Sequence, residues 1–172
     1  MKIYGLFGAI ALMLAAVQPV SAQVWKVYDF EAAAGFSAQY QGEPKVEERP
    51  YISAFAKSIV QRVYSHNSGG VDYLVAVADF TGVKAEKNKA IDEAANVLIA
   101  RGKLTHNNTA YINSFAGRQV RVEALDGTSY TSTIFFINNK LFQVEVVYPP
   151  MNSDPAGTSG IDFFLQAFRV TH

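Results

Sequence analysis

Cysteine is absent from all 172 residues, and that absence removes three chemistries at once: no disulfide, no thiolate nucleophile and no thiolate metal site. An excess of charge of either sign is also missing. Fifteen Lys and Arg balance 15 Asp and Glu, which excludes the strongly basic surface with which a general nucleic-acid binder meets phosphate. The three histidines, His66, His106 and His172, are scattered, none with a second histidine or a carboxylate at ligand spacing, so no metal site is expected. There is neither a Gly-x-Ser-x-Gly elbow nor a glycine-rich phosphate or dinucleotide loop, so no motif points to a catalytic residue or a cofactor.

Only one long apolar run exists. Lys2 and the amino terminus precede 15 apolar residues from Ile3 to Val17, a length suited to a secretory signal core and too short to span a bilayer comfortably. Gln18 and Pro19 break the run, and Val20-Ser21-Ala22 offers small residues to a signal peptidase. Residues 1 to 22 are therefore expected to be a helical signal peptide, cleaved between Ala22 and Gln23, that meets the membrane only transiently. No Arg-Arg pair precedes the core and no cysteine follows it, which favours the general bacterial export route to the periplasm or medium.

Residues 23 to 172 suit one domain. Without disulfides their stability must come from packing, and they carry 11 Phe and 8 Tyr for that purpose. Trp25 to Glu31 reads as an entry strand or short helix, and Phe36, Ala38 and Tyr40 alternate as a strand that Gln41-Gly42-Glu43-Pro44 ends. Residues 57 to 66 and 71 to 80 read as strands paired across Asn67-Ser68-Gly69-Gly70. Val71, Tyr73, Val75 and Val77 share one face of the second strand, and Leu74, Ala76, Ala78 and Phe80 the other, so it is expected to be internal to a sheet. The period then changes. Ile91, Ala94, Ala95 and Leu98 fall at helical spacing, with Gly102 as the expected stop; Tyr111 to Phe115 reads as a strand and Gly117 as a bend.

Residues 118 to 148 hold three β-rich runs separated by Asp126-Gly127 and Asn138-Asn139, dipeptides suited to two-residue hairpin loops. With both loops of that length, Leu125 opposes Thr128 and Ile137 opposes Lys140. Val120, Val122, Ala124, Thr131, Thr133, Phe135, Ile137, Phe142, Val144, Val146 and Tyr148 then form a core face. The other face collects Arg121 opposite Ser132, Ser132 opposite Glu145, and Glu123 opposite Tyr130. Arg121, Tyr130, Ser132 and Glu145 are thus a candidate interaction face, beside an apolar patch of Ile134, Phe136 and Leu141 that a docked helix could equally cover. After Pro149-Pro150, residues 151 to 160 read as loop. A final helix follows, with Ile161, Phe164, Leu165 and Phe168 on one face and Ser159 with Asp162 as a capping pair.

This order of elements resembles the PsbP-like group of small exported domains. The resemblance is carried by Gly35-Phe36-Ser37-Ala38-Gln39-Tyr40 with Gly42-Glu43-Pro44, by Ala116-Gly117 through Phe135-Phe136-Ile137-Asn138-Asn139-Lys140-Leu141-Phe142, and by Phe163-Phe164-Leu165-Gln166-Ala167-Phe168-Arg169. It implies an α+β fold, an antiparallel sheet flanked by helices, and a binding or assembly role rather than catalysis. The expectation is a non-catalytic periplasmic domain that takes a protein or small ligand. Two alternatives stand beside it: a carrier of small apolar ligands, suggested by the aromatic content, and a hydrolase-type enzyme assembled in space from His66, Asp72 and Asp79. Strict alternation places those two aspartates on opposite faces, against the enzyme.

Overall fold

The computed structural model describes residues 24–150 and 156–171. The expected signal segment, with its Ala22–Gln23 junction, lies outside them. Chain order is β1 (Lys26–Asp29), α1 (Glu31–Ala34), β2 (Phe36–Tyr40), β3 (Lys45–Ser53), β4 (Ala56–Ser68), β5 (Val71–Asp79), α2 (Lys87–Ile99), β6 (Lys103–Ile112), β7 (Phe115–Glu123), β8 (Ser129–Ile137), β9 (Lys140–Tyr148), α3 (Ala156–Ala167) and β10 (Arg169–Val170). Seven strands pair in the order β3-β4-β5-β9-β8-β7-β6, and a small sheet pairs β1-β2-β10. All pairings are antiparallel. The structure is therefore mostly antiparallel sheet with few helices.

Topology follows from the connections. Hairpins build β3-β4-β5; α2 then carries the chain to the far edge, and β6-β7-β8-β9 return by hairpins until β9 joins β5. The Gly69-Gly70 turn takes φ values of 60° and 81°, the left-handed conformations a two-residue loop needs and glycine supplies without strain. Asn138-Asn139 does the same with φ values of 50° and 59°, fixing Ile137 opposite Lys140 as expected.

The other expected turn is longer. Glu123 pairs with Ser129, and Ala124 N–H donates to Thr128 O at 2.9 Å, leaving Leu125, Asp126 and Gly127 as a three-residue loop. Asp126 Oδ1 accepts the Thr128 N–H at 2.9 Å, and Gly127 adopts φ 83°, the left-handed position of such a loop. One added residue turns β7 over relative to β8, because side chains alternate with period 2. Val120 and Val122 therefore lie with Ile134, Phe136 and Leu141 rather than with Phe135 and Val144.

The two faces have separate covers. Ala90, Ile91, Ala94, Ala95 and Leu98 of α2 are buried on β7 and β8, as their spacing predicts. On the opposite face α3 packs against β2 and β9, burying Ile161 and Phe164 with Phe168 just beyond the helix among the rings of Phe36, Phe135 and Phe142. This helix begins at Ala156, so Ser159 and Asp162 lie within it rather than at its start.

Two strands were hidden from sequence reading. β3 and β6 are the edges of the large sheet and largely exposed, so neither shows an apolar alternation. The stretch Tyr111 to Phe115, expected as one strand, is instead a hairpin end: Tyr111 and Ile112 close β6, Asn113 and Ser114 form the turn, and Phe115 opens β7. The cap of α2 is Ala100, two residues before Gly102, and Gly117 lies within β7 rather than at a bend. Both glycines allow close approach, since a Cβ on Gly102 would collide with the Glu123 carbonyl oxygen, and one on Gly117 with the Ile134 carbonyl oxygen and the Phe135 ring. Among the described residues no helix is long and apolar enough to cross a membrane.

Candidate functional site

The four residues singled out from the meander separate. Ser132 does oppose Glu145, and Tyr130 opposes Val147 on the same face, but α2 covers that face. Ser132 is fully buried, and its Oγ has no hydrogen-bond partner among the described residues. Just past α2, Arg101 donates to Glu145 Oε1 at 3.1 Å and places its guanidinium 5.0 Å from the centre of the Tyr130 ring, a cation–π distance. Burial raises the Glu145 pKa, and the Arg101 charge and hydrogen bond only partly oppose it. Arg121 is on the other side of the sheet, opposite Thr131 instead of Ser132, and Glu123 is opposite Ser129 instead of Tyr130. The cause is the three-residue loop described above.

Turning β7 over brings a different set together. On the α3 side, Arg121 Nε donates to Thr131 Oγ1 at 3.0 Å. The next cross-strand pair, Gln119 and Thr133, is joined by an amide-to-hydroxyl bond of 3.4 Å. Thr105 Oγ1 donates to the Arg121 carbonyl oxygen at 3.2 Å. Both central threonines are buried beneath Gln119 and Arg121. Among the described residues no carboxylate pairs with Arg121.

Because α3 lies over β9 and β2, it stops short of β6 and β7. A cleft of about 370 Å³ remains there, lined by Gln119, Thr133, Tyr111, Leu165, Gln166 and Arg169 among others. Arg169 donates from one guanidinium nitrogen to the carbonyl oxygens of Gln166 and Phe168, the latter at 2.7 Å. These groups at the end of α3 lack helical partners, and a cation there is also favoured by the helix dipole. The cleft thus presents an amide, a hydroxyl and a guanidinium over an apolar floor, with Arg121 one cross-strand pair further along. No Asp, Glu or His is among the described residues that line it. This set can hold and orient an anionic or amide-bearing group, and it has no general base.

The residues of the enzyme alternative do not converge. His66 lies against Gly42, and Asp72 accepts a 2.7 Å bond from Asn67 at the β4–β5 turn. Asp79 sits at the far end of β5, opposite Lys140. Burial pushes the Asp79 pKa up, but its bonds to Thr81 and the nearby Lys140 and Arg62 outweigh this and hold it low. A cleft of about 160 Å³ at that end is lined by Asp79, Arg62 and Lys140. Its two cations donate to Ala33 O at 3.4 Å and Ala34 O at 3.2 Å, tying α1 to the large sheet. The aromatic residues that suggested an apolar carrier pack on one another, with ring centres 4.5 Å apart for Phe30 and Tyr64 and 5.2 Å for Tyr40 and Phe164.

Among solved structures, the chain is similar to the solution structure of cyanobacterial PsbP (CyanoP) from Synechocystis sp. PCC 6803. The TM-score is 0.54 at 10% sequence identity, with 91% of this chain and 98% of that chain covered. The fold is PsbP-like. Such low identity speaks for architecture alone, and the PsbP-like fold accounts for the large sheet with helices on it. No family model matches the sequence, and a search of curated proteins finds no match.

Two members of the cleft were misplaced or missed in the sequence. A two-residue loop at Asp126-Gly127 would place Gln119 beside Arg121 on the face away from Thr133, and Arg169 enters the sequence reading only within the closing Phe-rich segment. The signal that could have corrected Gln119 is the glycine of Asp126-Gly127, which suits the left-handed position of a three-residue loop as well as a two-residue one.

Proposed function

We propose that this chain is an exported, non-catalytic binding domain that works in the bacterial periplasm and holds a protein partner at the cleft between α3 and β6–β8. The observation carrying this reading is the cleft itself: Gln119, Thr133 and Arg169 line it, Arg121 lies beside it without a carboxylate partner, and no acid–base group joins them among the described residues. Buried threonines beneath Arg121 and Gln119 fix the two long side chains, which lowers the ordering cost of a recognition surface. A carboxylate on the partner suits a half-buried arginine whose terminal nitrogens remain to be used. The apolar amino-terminal run with its small-residue junction supports export.

Two measurements test this. Amino-terminal sequencing of the protein recovered from the periplasm is expected to begin at Gln23; a cytoplasmic chain still carrying residues 1–22 would end the export reading. A photo-crosslinking side chain at Gln119 is expected to capture a partner in intact cells, and Arg121→Glu to abolish that capture. The same crosslinker at Val97, on the exposed side of α2, is expected to capture nothing comparable. Equal capture from both positions, or capture indifferent to Arg121→Glu, would place binding elsewhere.

A further inference from the structure

The large sheet has two free edges, and the sequence treats them differently. β3 carries devices that keep a strand solitary: Pro50 opposite Val60, Glu47 paired to both Lys45 and Arg49, and Glu48 paired to Arg62. β6 has no proline and no acidic residue in its 10 residues, and its one lysine, Lys103, is at the first position. Most of the strand is exposed, including two large apolar side chains, Leu104 at 40% and Tyr111 at 73%.

The inner pairing shows which backbone groups are unused. β6 and β7 close with Ile112 opposite Phe115 across a two-residue turn, and residues flanking such a turn bond to each other. Counting back, Ile112, Ala110, Asn108 and His106 direct their amides toward β7. Asn107, Thr109 and Tyr111 direct theirs outward, along an edge with no neighbour among the described residues.

We propose that β6 pairs with β6 of a second copy of this chain, antiparallel about a twofold axis perpendicular to the sheet at Asn108, joining two seven-stranded sheets into one. Asn107 then exchanges backbone bonds with the partner's Thr109, and His106 faces the partner's Ala110. The irregularity in β6 gives this register its specificity. Leu104 is opposite Val122 and His106 opposite Arg121, so Thr105 is an extra residue. That extra residue moves Leu104 onto the face shared by Tyr111, which is opposite Ala116. Each exposed Leu104 therefore meets the partner's exposed Tyr111 as a cross-strand pair, twice per dimer. Without the bulge the two would lie on opposite faces. The two Lys103 side chains end up at opposite ends of the pairing, about 30 Å apart at about 3.3 Å per residue, so no like charges meet.

The test uses the chain's lack of cysteine. Asn108 faces its own copy across the axis as a non-hydrogen-bonded pair with Cα atoms about 4.5 Å apart, within disulfide reach. Purified Asn108→Cys protein is expected to oxidise to a covalent dimer at least tenfold faster than Val97→Cys. In sedimentation equilibrium the unmodified chain is expected to dimerise with rising concentration. Thr109→Pro removes an outward amide and spares those facing β7, so it is expected to restore the monomer with an unchanged circular dichroism spectrum. Leu104→Lys and Tyr111→Glu are each expected to weaken association at least tenfold, and the double variant, which sets opposite charges across the axis, to recover most of it. A monomer up to millimolar concentration overturns the proposal. So does a dimer indifferent to Thr109→Pro, or equal crosslinking from Asn108→Cys and Val97→Cys.

Discussion

The two faces of the large sheet are packed by different means. Under α3 and the small sheet lie Phe36, Tyr40, Tyr64, Tyr73, Phe142 and Phe164, rings that meet edge to face or tilted. Under α2 the layer is thinner: Ala78, Ala90, Ala94 and Ala95 let helix and sheet approach closely over Val120, Val122 and Leu141. Side-chain ion pairs and hydrogen bonds rim the thin layer. Glu93 accepts from Ser53 and the Ala54 N–H, Arg118 pairs with Asp92, and Arg101 pairs with Glu145. Interlocking rings fix their own orientation, whereas a smooth alanine surface can slide and is held by polar groups at its rim.

The largest effect expected from this contrast is at Phe164, fully buried where α3 meets Tyr40 and Tyr73. Phe164→Ala is expected to cost about 3–5 kcal/mol in chemical denaturation, since such a cavity cannot collapse. A loss under about 1 kcal/mol would show that the ring layer is not the stabilising one. Next is Ala95→Leu, which adds bulk to a fully buried alanine in the thin layer; about 1–3 kcal/mol of destabilisation is expected by thermal or denaturant melting. A neutral result would mean that α2 does not approach the sheet as closely as described. Tyr40→Phe is a smaller change. The Tyr40 hydroxyl donates to Tyr64 O at 3.1 Å from a buried position, and burial foremost drives its pKa far above the usual tyrosine value. Loss of about 0.5–1.5 kcal/mol is expected, with no hydroxyl titration in the wild-type protein below the alkaline unfolding transition.

Glu145→Gln should change least at any one pH, and its value lies in the trend. The folded-state pKa of Glu145 is raised, chiefly by burial, so the folded chain holds that proton more tightly than the unfolded one. Its contribution is complete below the unfolded glutamate pKa and is lost as pH rises through the higher folded value. Wild type and Glu145→Gln are therefore expected to be similar in acid, with wild type losing ground toward neutral pH. Stability curves that run parallel across that range would mean that Arg101 compensates the burial fully.

Much of the fold was legible where local chemistry is decisive. Gly69-Gly70 and Asn138-Asn139 announce left-handed loops, and the internal strand β5 shows apolar residues on both faces. The buried faces of α2 and α3 follow from residues at helical spacing, such as Ile91, Ala95, Phe164 and Phe168. Edge strands were not legible, because β3 and β6 are exposed on both faces and carry no period. The candidate site was legible in composition and wrong in placement. Arg121, Tyr130, Ser132 and Glu145 were assigned to one face, but a single residue in the Leu125–Gly127 loop sends Arg121 to the α3 side. There it meets Gln119, which sequence position alone cannot relate to Arg169.

The route of α2 also sets the order in which this molecule assembles. β3-β4-β5 and β6-β7-β8-β9 are each stitched by neighbouring hairpins, so their contacts close early at little entropic cost. The seam between β5 and β9 is different: it joins residues 72–79 to residues 140–147, far apart along the chain. Closing such a span precedes any reward from its contacts and slows folding. The seam is therefore expected to set the folding rate. Val75→Ala and Val144→Ala, which face each other across it, are expected to slow refolding, and so is Gly70→Ala at the tip of a hairpin already closed by then, with unfolding rates changing less.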